Sequence, residues 1–148
     1  MIHNNYTIKI KLKNILFLVK IFVVYLIINS NVIAAQSKFF NKGIELFKNK
    51  EYEKSKLQFE KDIVFDPRSE KSYLYLAKIF YEKDNDEEQE VNLNNVLLLN
   101  PENDEAIYML TILKIKQSDY NHAKELIEKF SIVCETFCSK KDEVHEKF

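Results

Sequence analysis

The chain has 148 residues, of which 46% are hydrophobic, 30% are charged, one is Gly and two are Pro. Average usage would give roughly ten Gly and seven Pro, so the sequence excludes a Walker-A loop and a dinucleotide-binding loop, which need several Gly, and leaves little room for glycine-built hairpins. The formal net charge is −1, and the composition predicts an all-α protein.

Residues 1–34 are predicted to be an export signal. They carry no acidic residue, and their apolar run at 15–28 is broken only by one of four lysines (Lys9, Lys11, Lys13 and Lys20). A basic region, an apolar region and small residues are the parts of a signal peptide, so we expect cleavage after Ala34 or, as second choice, after Ala35. The alternatives are a retained membrane anchor, although the 14-residue run is shorter than the roughly 20 residues that span a bilayer, and a helix of a cytoplasmic protein.

Residues 35–148 are predicted to form one small domain. They hold 18 basic and 23 acidic residues, a net charge of −5. This balance argues against a nucleic-acid partner, because nucleic acids are bound chiefly by cationic side chains. If the signal is removed, we expect the domain in an oxidising compartment such as the periplasm, or secreted. If it is retained, the domain is anchored to a membrane through residues 1–34 alone.

The domain contains a repeat of 34 residues. Pro67 and Pro101 are 34 residues apart, and each follows an apolar run and a polar residue. Since the residue before Pro is pushed out of helical geometry, each Pro is predicted to mark a helix end. Four further sets keep the same spacing: Phe39, Tyr73 and Ile107; Gly43, Ala77 and Thr111; Ser55, Gln89 and Ala123; and Phe59, Leu93 and Ile127.

This period resembles the tetratricopeptide repeat, a 34-residue pair of antiparallel helices. The resemblance implies an α-solenoid of three helix-turn-helix hairpins at about 36–69, 70–103 and 104–137, with polar turns at 49–51, 84–86 and 117–119. One helical pair cannot bury its own apolar face, so the pairs are expected to stack. The third copy departs from the family pattern at Thr111, Lys114 and Glu135.

Residues 138–148 are predicted to form a short capping helix. Ser139 followed by Asp142 is typical of a helix start, and Val144 and Phe148, four residues apart, form its expected buried side. The remainder of this segment is mostly charged, as the solvated outer face of a terminal repeat requires.

Cys134 and Cys138 are predicted to form a disulfide if the chain is exported, because an even number of Cys in an oxidising compartment favours pairing. Two free thiols are the alternative, and a metal or redox role is a weaker one, since the spacing is not that of a C-x-x-C site.

No constellation for catalysis is found, and the sequence predicts neither an enzyme nor a cofactor or metal. The three histidines (His3, His122 and His145) have no metal-ligand spacing. The acidic runs at 84–90 and 102–105 fall at turns and helix starts, where they are solvated and favoured by the helix dipole.

The resemblance also implies a concave groove lined by the first helix of each hairpin. Carried over by position, the groove residues are Phe40, Ile44 and Phe47, then Leu74, Lys78 and Tyr81, and then Tyr108, Ile112 and Ile115. Because these residues are mainly apolar and aromatic, we expect the groove to take an apolar peptide or an amphipathic helix and not a peptide carboxylate. Self-association through the groove and burial of these residues in an ordinary core are the alternatives.

The sequence therefore predicts a non-enzymatic protein-interaction scaffold that is exported to the periplasm or cell envelope. The alternative is a membrane-tethered structural or assembly subunit that associates with itself through the same groove.

Overall fold

Six helices in residues 37–148 pair into three hairpins that stack in chain order. The computed structural model describes these residues and Lys20, and apart from Lys20 the predicted export signal lies outside the described residues. The hairpins are α1 (Lys38–Lys48) with α2 (Tyr52–Phe65), α3 (Glu70–Glu82) with α4 (Asp86–Leu99), and α5 (Asp104–Lys116) with α6 (Tyr120–Val133); a 3-10 turn (Cys138–Lys140) leads to α7 (Lys141–Lys147). The described residues contain no strand, which confirms the predicted all-α class.

The two prolines end the second helices of their hairpins, as predicted. Asp66 has φ −132° and ψ 90°, and Asn100 has φ −138° and ψ 92°. Both are extended because the ring of the following Pro disfavours helical geometry. The Asp66 and Asn100 side chains then accept hydrogen bonds from the main-chain N–H groups two residues on, at 3.0 and 3.2 Å.

The turn inside each hairpin has the same left-handed residue at the same register. Lys50, Asp84 and Ser118 have φ of 60°, 51° and 61°. In each hairpin the next residue donates its main-chain N–H back to the carbonyl five residues earlier, at 2.9 to 3.0 Å. This is the Schellman pattern, whose left-handed position favours Gly. The sequence forms it three times without glycine.

Replacing Lys50 by Gly is expected to stabilise the domain by about 0.5–1 kcal/mol, because glycine lacks the Cβ that makes the left-handed region unfavourable. The matched control is Lys48→Gly at the last residue of α1, where the backbone is helical and right-handed, and it is expected to destabilise the domain by up to about 1 kcal/mol. Urea unfolding of both variants measures the two changes. Equal losses in both would contradict the assigned turn.

The apolar residues of the 34-residue period meet in two core clusters. The first core cluster joins the first and second hairpins through Phe40, Phe59, Leu76, Ile79 and Phe80. The second core cluster joins the second and third hairpins through Leu74, Ala77, Leu93, Val96, Ala106, Leu110 and Leu113. Each cluster draws residues from both neighbours, so the hairpins stabilise one another by stacking.

At one edge of the domain, the first helix of each hairpin begins and the second helix ends. We call this edge the proline edge. There, a carboxylate connects the start of each hairpin to its own end or to the following loop. In chain order, Asp62 accepts from Ser37, Glu70 accepts from Asn100 at 3.2 Å, and Asp104 accepts from the N–H groups of Glu135, Thr136 and Phe137 at 2.6 to 2.8 Å.

The short helix α7 caps the third hairpin. Val144 is 1% exposed, and α7 contacts both α5 and α6. Phe148 does not share this burial: it is 49% exposed and meets the Tyr120 ring edge to face, with the centroids 6.1 Å apart. No helix in the described part of the chain has the length and apolar content needed to cross a bilayer.

Candidate partner-binding groove

A pocket of about 280 Å³ opens on the side of the solenoid formed by the first helices of the second and third hairpins. Its lining comes from α3, α5 and α7, with one further residue from α4. The lining residues are Lys78, Tyr81, Gln89, Glu105, Tyr108, Met109, Ile112, Leu113, Lys116, Glu143 and Lys147.

Four of the nine predicted groove residues line this pocket: Lys78, Tyr81, Tyr108 and Ile112. Tyr81 is 57% exposed, so it presents most of an aromatic ring to an incoming molecule. The structure thus brings these four side chains together around one pocket.

The other five predicted groove residues lie elsewhere. Phe40 and Leu74 are only 3% and 8% exposed and belong to the two core clusters, so they offer almost no surface to a partner. Ile44 and Phe47 are half-buried against the first core cluster, and Ile115 is half-buried outside the pocket lining. The pocket therefore occupies the second and third hairpins and not the whole solenoid.

Tyr108 fixes the capping segment at the end of the pocket. Its hydroxyl donates to Glu143 Oε1 at 2.9 Å, and its ring lies 5.9 Å from the Phe137 ring. Burial, and then the hydrogen bond to Glu143, raise the pKa of Tyr108. Hydrogen bonds from Lys140, Lys147 and Tyr108 lower the pKa of Glu143 to about 2, so this carboxylate is charged at neutral pH and holds α7 against α5.

The lysines that line the pocket are paired with carboxylates. Lys78 lies 2.7 Å from Glu105, and Lys147 lies 2.9 Å from Glu143. Lys116 lies 2.7 Å from Asp86, and hydrogen bonding to that carboxylate raises the pKa of Lys116. The lining is thus more charged than the apolar groove expected from the sequence, but its cations are neutralised within the chain.

Gln89 is a site residue that sequence reasoning missed. It lines the pocket although it is only 3% exposed, and no described residue forms a hydrogen bond with its side-chain amide. A carboxamide both donates and accepts hydrogen bonds, so Gln89 can bind one polar group of a ligand in the pocket. The sequence did contain a sign of this role: at the repeat position shared by Ser55, Gln89 and Ala123, only Gln89 is a large polar residue.

The two cysteines are joined beside the groove. Cys134, which follows α6, and Cys138, which begins the 3-10 turn, form a disulfide with their Cα atoms 5.1 Å apart. The bridge closes the loop that carries Phe137 and donates to Asp104. It therefore pins the segment that leads into α7. Within the described residues, no group of three or more His, Cys, Asp or Glu side chains is placed to hold a metal.

This architecture has the fold of tetratricopeptide repeat domains, and solved structures of that fold are similar to it. The first TPR of Spaghetti (RPAP3), bound to the HSP90 peptide SRMEEVD, is 16% identical with a TM-score of 0.67, over 74% of this chain and 86% of that one. The CopN-Scc3 complex matches at 16% identity and a TM-score of 0.67, over 77% and 70% of the two chains. The Sgt2 TPR domain from Aspergillus fumigatus matches at 17% identity and a TM-score of 0.63, over 74% and 76%.

These likenesses confirm, at the level of the fold, the resemblance expected from the 34-residue period. No family model matches the sequence, and no curated protein is significantly similar to it. The chain is accordingly defined as a protein with the tetratricopeptide repeat fold.

Proposed function

We propose that residues 35–148 form a non-enzymatic protein-interaction scaffold that acts outside the cytoplasm. The pocket between α3, α5 and α7 takes an apolar side chain from a peptide or an amphipathic helix of the partner. The observation that carries this proposal is the half-exposed Tyr81, which stands beside Tyr108 and Ile112 at the mouth of the pocket.

The chemistry of the lining supports a ligand with an apolar face and a polar backbone. Tyr81, Met109 and Ile112 supply apolar surface, while the ion pairs of Lys78 and Lys116 supply polar surface. Protein-binding surfaces usually combine the two. Two of the similar structures, Spaghetti (RPAP3) with the HSP90 peptide and the CopN-Scc3 complex, hold a peptide or form a complex, which is consistent with this use of the fold.

Export is supported by two independent features. The basic, apolar and small-residue parts of residues 1–34 are those of a signal peptide. The Cys134–Cys138 disulfide is of a kind that persists in oxidising compartments.

Replacing Tyr81 by Glu is expected to weaken ligand binding about tenfold or more, because the substitution puts a charge where an apolar contact is needed. Peptides selected from a random displayed library on residues 35–148 serve as ligands. They should carry apolar residues three or four positions apart, and titration of each peptide measures the affinity.

The matched control is Tyr120→Glu. Tyr120 is 52% exposed, close to Tyr81 in exposure, but lies on α6 outside the pocket lining. Peptides that bind the Tyr81→Glu and Tyr120→Glu variants equally well would refute the groove proposal. A mass measurement without peptide tests the alternative, since a dimer that Tyr81→Glu converts to a monomer would indicate self-association.

A further inference from the structure

The most exposed large apolar side chains form a row with the period of the repeat. Val64, Leu98 and Ile132 are 34 residues apart and are 78%, 81% and 83% exposed. Each stands near the end of the second helix of its hairpin. Three equal positions on three stacked hairpins place these side chains along the proline edge. We call them the apolar row.

The apolar row continues into neighbouring apolar residues. Phe65 is 73% exposed and Leu99 is 37% exposed. The Phe65 ring stacks on Phe39, at the start of α1, with the centroids 5.3 Å apart. Exposed apolar side chains that recur at one edge of a soluble domain are typical of an interaction surface.

Four cations at the same edge of the domain as Val64 have no carboxylate partner among the described residues. Lys38, Lys61, Arg68 and Lys71 are all exposed, and none of them forms an ion pair with a described residue. Two nearby acids accept hydrogen bonds within the chain: Asp62 from serine hydroxyls and Glu70 from Asn100. Asp66, in the loop between the first two hairpins, is an exposed acid. Four exposed cations and one exposed carboxylate therefore lie beside apolar side chains at this part of the proline edge, and these cations are unpaired within the described part of the chain, in contrast to the lysines of the pocket.

The chain also enters the domain at this edge. Ser37, which caps α1, is hydrogen-bonded to Asp62 near the end of α2. Only eight residues, 29–36, separate it from the apolar run at 15–28, and eight residues reach at most about 29 Å. The linker between the apolar run and this edge of the domain is therefore short in sequence.

We propose that the proline edge rests on the surface of a lipid bilayer that contains anionic lipids. Val64, Leu98 and Ile132 enter the interfacial region, and the four cations, which lie at the ends of the first hairpin and at the start of the second, lie against lipid phosphates. Apolar side chains flanked by Lys and Arg are the combination that interfacial binding uses. This inference is independent of the groove, and it leaves the pocket between α3, α5 and α7 free for a protein partner.

The test uses the full chain with a protease site inserted between Ala35 and Gln36. The protein is bound to vesicles of equal amounts of phosphatidylcholine and phosphatidylglycerol and then cut, and flotation measures how much of the released domain stays on the vesicles. The wild-type domain is expected to remain bound, and to leave when phosphatidylglycerol is omitted or when salt is raised, because salt screens the cationic contribution.

Two double variants locate the contact. Val64→Asn with Leu98→Asn is expected to lower the bound-to-free ratio about tenfold. The matched control is Leu57→Asn with Val91→Asn: these residues are 50% exposed and lie seven residues earlier on the same two helices, two turns farther from the proline edge. The control should keep the wild-type ratio, and circular dichroism verifies that both variants are folded.

Three results would overturn the inference. The first is release of the wild-type domain from anionic vesicles after cleavage. The second is a control variant that loses as much binding as the Val64 and Leu98 variant. The third is a wild-type dimer, measured by light scattering without vesicles, that the Val64 and Leu98 variant converts to a monomer; the apolar row would then be an interface between two copies of this chain.

Discussion

Replacing Asp62 by Ala is expected to destabilise the domain by about 2–4 kcal/mol, because hydrogen bonds to a charged group contribute more than neutral ones. Asp62 is 3% exposed, and its carboxylate accepts from the hydroxyls of Ser37, Ser69 and Ser72. Ser72 is itself fully buried and would lose the acceptor of its hydroxyl, which leaves Ser69 as its hydrogen-bond partner. Urea unfolding at neutral pH measures the change, and a loss below about 0.5 kcal/mol, the level of an ordinary surface substitution, would contradict this role.

The contribution of Asp62 is also expected to depend on pH. Burial raises the pKa of this carboxyl, but the hydrogen bonds from Ser37, Ser69 and Ser72 outweigh burial and hold it below the usual value. Since the folded-state pKa is lower than the unfolded one, which is about 3.9, the stabilisation is complete above that pH and is lost as the pH falls through the folded pKa.

Asp62→Asn is the matched variant for this effect, because it keeps the shape of the side chain without a titrating group. The difference in unfolding free energy between wild type and Asp62→Asn should be largest near about pH 7 and should shrink below about pH 4. The comparison with Asp62→Asn is needed because Asp104 and Glu143 also have a lowered pKa, and their protonation in acid destabilises both proteins equally. A difference that stays constant over this range would assign the effect to shape alone.

Replacing Gly43 by Leu is expected to destabilise the domain by about 2–3 kcal/mol through overpacking. A Cβ at position 43 would lie 2.6 to 2.9 Å from three atoms of the Phe59 ring. That ring is fully buried between Phe40 and Tyr75, with centroids 5.6 and 5.0 Å away, so it cannot move aside freely. The Gly43 carbonyl also accepts from Ser55 Oγ at 2.8 Å, which keeps α1 and α2 in close contact.

Gly43→Ala separates this clash from helix propensity. Alanine stabilises a helix by roughly 0.8–1 kcal/mol relative to glycine, and this gain offsets part of the cost of displacing Phe59. The loss for Gly43→Ala should therefore be clearly smaller than for Gly43→Leu. Ala77→Leu, at the same position of the second hairpin and also fully buried, should reproduce the Gly43→Leu loss. Unchanged melting of Gly43→Leu would show that the register of the repeat is wrong.

The sequence by itself determined the period and the phase of the repeat. Pro67 and Pro101 mark the two helix ends they were predicted to mark. The polar turns fall where Lys50, Asp84 and Ser118 adopt the left-handed conformation. These features follow from local rules: proline restricts the residue before it, and apolar spacing selects the helical face that is buried.

Only the tertiary structure decided which predicted groove residues face a pocket. Helical periodicity identifies a face, but a first helix in a solenoid contacts its own hairpin on one flank and the next hairpin on the other. Phe40 and Leu74 are buried in those contacts, whereas Tyr81 is exposed to solvent. Gln89 lines the pocket although it lies on α4, a second helix.

Composition and local pattern determine less than the stacked hairpins do. The scarcity of Gly and Pro was sufficient to predict the all-α class, and the positions of the two prolines were sufficient to place the repeat. The carboxylates that connect the two ends of each hairpin at the proline edge, and the ion pairs of Lys78 and Lys116, join residues roughly 25 to 33 positions apart that meet only in the folded domain. Such meetings are set by how the hairpins stack, which no local pattern encodes.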